Sequence, residues 1–124
     1  MKNSEIYNYS QKLFQAFSSQ GENKFPIKLS FKIQKNKKLF LDLGMEIEKN
    51  ILSLQQKYGH CVTEGDKTQI LIPAENIEVF QQEYNDLMEI EQEINFATIQ
   101  IDELSDSIEI SNQEMEAILF MIEE

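Results

Sequence analysis

The sequence of 124 residues lacks arginine and tryptophan and contains a single cysteine. One cysteine excludes a disulfide within the chain. The N-terminal residues lack the apolar core of a secretory signal, and no run approaches the roughly 18 apolar residues of a membrane span. We therefore expect residues 1–124 to form one soluble, cytoplasmic domain.

Basic residues are also missing from nearly half of the chain. All 11 lysines lie in the first 67 residues, whereas residues 68–124 carry 15 acidic residues and no basic one. The net charge of −11 disfavours binding to DNA or to an anionic membrane, because like charges repel. Charge divided in this way predicts that one part folds against the other, or that an acidic face meets a partner.

Helical periodicity dominates the N-terminal half. Apolar residues at three- and four-residue spacing predict a helix over residues 3–19. Residues 25–34 alternate apolar and polar side chains, which fits a strand, yet the helical register of residues 35–58 extends back through them. We favour one long helix over about 27–58, because Pro26 suits a first helical turn.

The C-terminal half mixes both kinds of element. Residues 61–72 predict a hairpin, and Pro73 can open a third helix. Residues 94–101 predict a strand that is apolar on both faces, and Ser111 with Glu114 forms a capping-box pattern for a last helix. The fold expected is α+β and predominantly α, with about four helices and a small antiparallel sheet formed by the hairpin and the 94–101 strand.

Potential metal ligands cluster at His60, Cys61, Glu64 and Asp66. A zinc site needs three or four ligands, and adjacent side chains on extended backbone point to opposite faces. A catalytic cysteine also needs an imidazole that a third group holds in place, and the sequence shows no such group. We predict no metal, no cofactor and no catalytic residue.

Carboxylates crowd the third predicted helix and the residues after it. Paired acids can hydrolyse glycosidic bonds when they are held across a cleft, but a spacing of one to four residues along a helix favours a solvated face. We predict that these carboxylates form a binding surface. Its members are Glu78, Glu83, Asp86, Glu89, Glu91, Asp102, Glu103 and Asp106.

Lysines recur at helical spacing at the start of the long helix and form a candidate basic stripe. Phosphate recognition usually recruits the bidentate guanidinium of arginine, which this chain lacks. The interpretations left open are a face that meets the acidic half, within or between subunits, and a site for an anionic ligand. The stripe comprises Lys24, Lys28, Lys32, Lys35, Lys37 and Lys38.

Asn36 interrupts the apolar face of the long helix. In the helical register it lies among Ile33, Phe40 and Leu43. A buried Asn is costly unless its amide is hydrogen-bonded, and it can then fix a register or an oligomeric state. The alternative is that Asn36 faces the rim of the core.

Several segments resemble a family of small, uncharacterised proteins encoded by tailed phages. The resemblance spans residues 25–122 and implies a phage or prophage origin and a helix-rich fold, but no activity. It rests on residues 30–39, on the helix end Lys57-Tyr58-Gly59, on the order Ile72, Phe80, Tyr84 and Leu87, and on Ser111, Met115, Ile118, Leu119, Met121 and Ile122.

The expected function is therefore binding without catalysis. A phage-encoded protein would act in the host cytoplasm, docking its acidic surface on a host or phage macromolecule, with inhibition of a host defence as the concrete version. One alternative is a homo-oligomer used in virion assembly, in which the basic stripe of one copy meets the acidic half of another. The other is a protein that sequesters an anionic small ligand.

Overall fold

The computed structural model describes residues 1–17, 25–104 and 108–123. Within these residues the fold is α+β and predominantly α, with four α-helices, one of them long, and a small antiparallel sheet, as predicted. The elements in chain order are α1 (Asn3–Ala16), α2 (Ile27–Tyr58), β1 (His60–Glu64), β2 (Lys67–Leu71), α3 (Ala74–Glu89), β3 (Ile99–Gln100), α4 (Asn112–Ile118) and β4 (Ile122–Glu123).

The 32-residue helix α2 is the axis of the fold, and it confirms the helical interpretation of residues 25–34. At about 1.5 Å per residue it is roughly 48 Å long. Pro26 precedes its first turn, where a missing N–H costs nothing, and Gly59 ends it with an N–H bond to the Gln55 carbonyl at 2.8 Å. Because α2 spans the molecule, surfaces at its two ends are far apart.

The core lies between α1, the N-terminal two-thirds of α2, and the C-terminal segment. Phe40 on α2 is fully buried, and its ring meets those of Tyr9, Phe96 and Phe120 at centroid distances between 5.1 and 6.2 Å. The core therefore joins segments that are distant in the sequence. Its buried apolar members are Ile6, Leu13, Phe17, Phe25, Leu29, Ile33, Phe40, Ile47, Ile99, Ala117, Ile118 and Met121.

Helices α1 and α2 approach most closely at Ser10 and Gly44. A Cβ on Gly44 would lie 2.3 Å from Ser10 Oγ and 2.9 Å from Ser10 Cβ, and both residues are buried. Glycine costs an isolated helix roughly 1 kcal/mol relative to alanine, so its presence here is explained by helix packing.

We expect Gly44→Ala to lower the free energy of unfolding by about 1–2 kcal/mol, because the overlap outweighs the gain in helix propensity. Chemical denaturation measures this change. The double variant Ser10→Gly/Gly44→Ala removes both overlapping atoms and should recover most of the loss. Equal destabilisation of the single and double variants would contradict this packing.

The prediction of a strand over residues 94–101 is wrong for most of that segment. Only Ile99 and Gln100 form a strand, and they pair in parallel with Ile122 and Glu123, not with the hairpin. The reason is that the backbone of Ala97 is hydrogen-bonded to a side chain and not to a strand. The Asn36 side-chain N–H donates to the Ala97 carbonyl, and the Asn36 side-chain oxygen accepts from the Ala97 N–H, both at 2.7 Å. Asn36 thus takes the place of a neighbouring strand.

The hairpin matches its prediction and stands apart as its own two-stranded sheet. Strands β1 and β2 pair antiparallel from His60–Leu71 to Glu64–Lys67. The turn contains Gly65 at a φ of 60°, a left-handed conformation that glycine adopts at little cost. Nearly all residues of the two strands are exposed on both faces, so the hairpin adds little to the core.

Helix α3 runs antiparallel beside the C-terminal half of α2. Asn76 Nδ2 donates to the Tyr58 carbonyl at 3.0 Å near one end of α3, and Asn3 Nδ2 donates to the Leu87 carbonyl at 2.8 Å near the other. All of residues 48–98 are described, and none of them is fully buried. The end of α2, the hairpin and α3 therefore form an arm that is largely surface.

Candidate functional site

Opposite charges from the two halves of the chain meet within the fold. The five ion pairs between described residues each join a cation from the lysine-containing part to a carboxylate of the base-free part. The shortest links Lys32 Nζ to Glu103 Oε2 at 2.8 Å. The others are Lys2–Glu89 at 2.9 Å, Lys57–Glu83 at 3.4 Å, Lys12–Glu116 at 3.5 Å and the Met1 amino group with Glu91 at 3.9 Å.

These contacts favour the ionised forms of the carboxyl groups. Hydrogen bonds from Lys32, and then from the backbone N–H of Gln100, lower the pKa of Glu103 below its usual range. A hydrogen bond from the Tyr58 hydroxyl, aided by the charge of Lys57, lowers the pKa of Glu83.

The predicted acidic surface divides into two groups. Four of its carboxylates, Glu83, Glu89, Glu91 and Glu103, are engaged in the ion pairs above. Three others, Glu78, Asp86 and Asp102, are exposed and have no cation within 4 Å among the described residues, while Asp106 lies outside the described part of the chain. The assignment of all eight to one binding surface remains a prediction.

One outward face of α3 carries three exposed carboxylates that have no cation within 4 Å among the described residues. Positions 75, 78, 79, 82 and 86 follow helical spacing and share a side of the helix. All five residues are exposed, and the Gln82 amide donates to Asp86 at 3.1 Å. We call this set, Glu75, Glu78, Val79, Gln82 and Asp86, the acidic α3 face.

Two members of the acidic α3 face are missing from the sequence-based list. Glu75 lies in the first turn of α3, where a negative charge also stabilises the helix, and Val79 carries no charge. A helical projection of residues 74–89 nevertheless places both beside Glu78 and Asp86, so the sequence alone could have grouped these four residues. Ile77, on another side of the helix, is about half exposed.

The basic stripe is also divided. Lys32 is engaged with Glu103, and Lys37 donates to the Phe17 carbonyl. Lys28, Lys35 and Lys38 are exposed on α2, and Lys24 lies outside the described residues. Among the described lysines of the stripe, Lys32 therefore meets the acidic half, while Lys28, Lys35 and Lys38 are exposed to solvent.

The potential metal ligands of the hairpin lie on its surface. His60 and Cys61 are both exposed at the start of β1. In the described residues no group of three His, Cys, Asp or Glu side chains is placed to hold a metal ion. The exposure of His60 and Cys61 thus leaves these side chains on the surface and not in an enclosed site.

Comparisons of this chain with protein families, curated proteins and solved structures found no match. Within the described residues, no helix has both the length and the apolar character needed to cross a membrane. The function is therefore inferred from the surfaces of the molecule.

Proposed function

We propose that this chain is a non-catalytic binding protein whose acidic α3 face docks on a basic surface of a macromolecular partner. The observation that carries the proposal is the set of three exposed carboxylates, Glu75, Glu78 and Asp86, on one side of a helix with no buried residue. None of the three has a cation within 4 Å among the described residues.

The way the charges pair favours this face over other acidic residues. Every carboxylate that meets a lysine has part of its charge compensated, and such exposed pairs add little stability. The acidic α3 face keeps its charge, and charge left exposed on one surface accelerates encounter with a partner of opposite sign. Val79 supplies exposed apolar area within the acidic face, which a docked partner can cover.

The arm that presents α3 suits a docking role. Residues 48–98 form paired elements without a core of their own, so their exposed surface is large relative to the stability they contribute. A partner that covers α3 would bury apolar side chains that folding alone leaves half exposed. This is the condition in which association gains most from the hydrophobic effect.

The resemblance to small tailed-phage proteins narrows the choice of partner. The partner is then a macromolecule of the infected cell, met in the host cytoplasm, and its inhibition blocks a host defence. A basic protein surface is the partner chemistry that the acidic α3 face recognises, since nucleic acid shares its sign of charge.

The proposal is tested with an amphipathic Lys- and Leu-rich peptide as a probe, by isothermal titration at rising salt. We expect binding that weakens markedly between about 50 and 200 mM salt, because screening acts on exposed charges. The triple variant Glu75→Gln/Glu78→Gln/Asp86→Asn should lose most of the affinity. It removes charge without adding bulk, so folding is preserved.

A matched control removes the same charge from another surface. Glu64→Gln/Asp66→Asn/Glu93→Gln changes three exposed carboxylates of the hairpin and of the segment after α3, and it should bind the peptide almost as the unmodified chain does. Equal loss in both triple variants would show that only net charge matters. That result, or an affinity unchanged by salt, would reject the acidic α3 face as a specific site.

A further inference from the structure

Helix α2 carries a second apolar stripe on the side opposite the core. Its positions are separated alternately by four and three residues, which is the spacing of the core positions of a coiled coil. Five of the eight are apolar and three are polar. We call this set, Ile27, Phe31, Gln34, Lys38, Leu41, Met45, Glu48 and Leu52, the outer stripe.

Four of the five apolar members of the outer stripe are exposed, which is unusual for such large side chains. Ile27 is 82% exposed, Phe31 64% and Met45 61%. The inner face of the same helix buries Leu29, Ile33 and other core residues, so the need to bury the core does not explain a second apolar face. A helix that is apolar on two opposite sides is expected to have a second packing partner.

Grooves flank the outer stripe and could receive side chains from another helix. Between α1 and α2, a groove of about 500 Å³ is lined by Tyr7 and Phe14 on one side and by Leu41 and Met45 on the other. A second groove lies beside Phe31 and continues along α2 toward Asp42. A coiled-coil partner inserts its side chains into depressions of this kind.

The charges beside the outer stripe specify the partner. From residue 28 to residue 38, α2 carries five lysines and no acid, and three of these lysines, Lys28, Lys35 and Lys38, are exposed; from residue 42 to residue 48 it carries three exposed acids and no lysine. We propose that the outer stripe pairs with the same stripe of a second copy of this chain in antiparallel orientation. Reversal then places the lysine segment of each copy against the acidic segment of the other, whereas parallel pairing would align like charges.

The spacing of the outer stripe fits this symmetry. Read backward, the alternation of four and three residues is unchanged, so the stripe superposes on itself with Ile27 opposite the partner's Leu52. The pairing is isologous and closes as a two-fold dimer. Polar residues at Gln34, Lys38 and Glu48 lower the stability of a coiled coil but fix its register.

Sedimentation equilibrium on the full chain tests the dimer. We expect a monomer–dimer equilibrium, with association weakened roughly 100-fold by Phe31→Glu/Met45→Glu, which places charge on the buried seam. The control Ile101→Glu/Leu119→Glu adds the same charge at residues of similar exposure and should leave association nearly unchanged. A chain that is monomeric up to about 1 mM, or a dimer that survives the stripe variant, would overturn the proposal.

Disulfide trapping tests the orientation without disturbing the fold. In a Cys61→Ser background, an Ile27→Cys chain is mixed with a Leu52→Cys chain and oxidised. The antiparallel dimer predicts cross-links between the two different chains, whereas cross-links within each kind alone would overturn the antiparallel assignment. Peptide binding at the acidic α3 face is measured on the same variants, so failure of the dimer and failure of the proposed function are separate results.

Discussion

Replacing Phe40 with alanine is expected to lower the free energy of unfolding by about 4 kcal/mol. The ring is fully buried at the centre of an aromatic cluster, with centroids 5.1 Å from Phe120, 6.0 Å from Phe96 and 6.2 Å from Tyr9. Its removal loses apolar burial and edge-to-face contacts, and it leaves a cavity that three separate segments cannot fill together. Such a loss is a large part of the roughly 5–15 kcal/mol that a domain has.

Urea denaturation followed by far-ultraviolet circular dichroism measures this change, at a concentration where sedimentation shows only monomer. Phe14→Ala is the matched control, because its ring is 57% exposed on α1. We expect that variant to lose less than about 1 kcal/mol. Similar losses for Phe40 and Phe14 would mean that the core is not centred on the aromatic cluster.

The Asn36→Ala variant is expected to lose about 3 kcal/mol, the second-largest effect. The Asn36 amide donates to the Ala97 carbonyl at 2.7 Å and to Met121 Sδ at 3.1 Å, and its oxygen accepts from the Ala97 N–H at 2.7 Å. Alanine would leave both backbone groups of Ala97 without these bonds inside the fold, at roughly 1–3 kcal/mol each. The extended segment after α3 would lose these hydrogen bonds to α2.

Asn50→Ala supplies the control on the same helix. Asn50 is exposed, and its amide donates to the Glu46 carbonyl one turn earlier. The same chemical change should therefore alter the free energy of unfolding by no more than about 0.5 kcal/mol. Hydrogen exchange at the Ala97 amide adds a local measurement: it should accelerate in Asn36→Ala and stay slow in Asn50→Ala, and slow exchange in both would refute this role of Asn36.

Local patterns in the sequence identify the helices well. The heptad-like run of apolar residues along the inner face decides between strand and helix for residues 25–34, because only a helix buries Leu29, Ile33 and Phe40 together. The capping box predicted at Ser111 is present, since the Ser111 hydroxyl accepts from the Glu114 N–H while Glu114 accepts from the Ser111 N–H. Both signals act over a few residues, which is why sequence reveals them.

Long-range pairing explains where the sequence misleads. The alternation over residues 94–101 is a true strand signature, yet Ala97 bonds to the Asn36 side chain, and within this segment only Ile99 and Gln100 pair with another strand. Leu119 follows Met115 and Ile118 at the spacing of one helical face, yet it is more than half exposed because α4 ends at Ile118 and the following turn directs Met121 inward. Neither outcome can be derived before the partner across the fold is known.

The candidate site, too, can be predicted from the sequence only in part. The separation of lysines from carboxylates is visible in the sequence, and the ion pairs from Lys32 to Glu103 and from Lys57 to Glu83 show that the two parts meet. The sequence cannot say which carboxylates remain, because that depends on which lysines the fold brings near. Helical spacing groups Glu75, Glu78 and Asp86 on one side of α3, but only the packing of α3 on α2 leaves that side exposed.

The docking surface proposed on α3 consists of the exposed carboxylates Glu75, Glu78 and Asp86, which have no cation within 4 Å among the described residues. It is tested most directly by ¹⁵N–¹H correlation spectra of the protein during titration with the Lys- and Leu-rich peptide. We expect the largest shift changes on residues 74–89, and we expect them to disappear in Glu75→Gln/Glu78→Gln/Asp86→Asn. Changes that centre on the exposed hairpin at His60 and Cys61, or that spread evenly over all acidic residues, would contradict it.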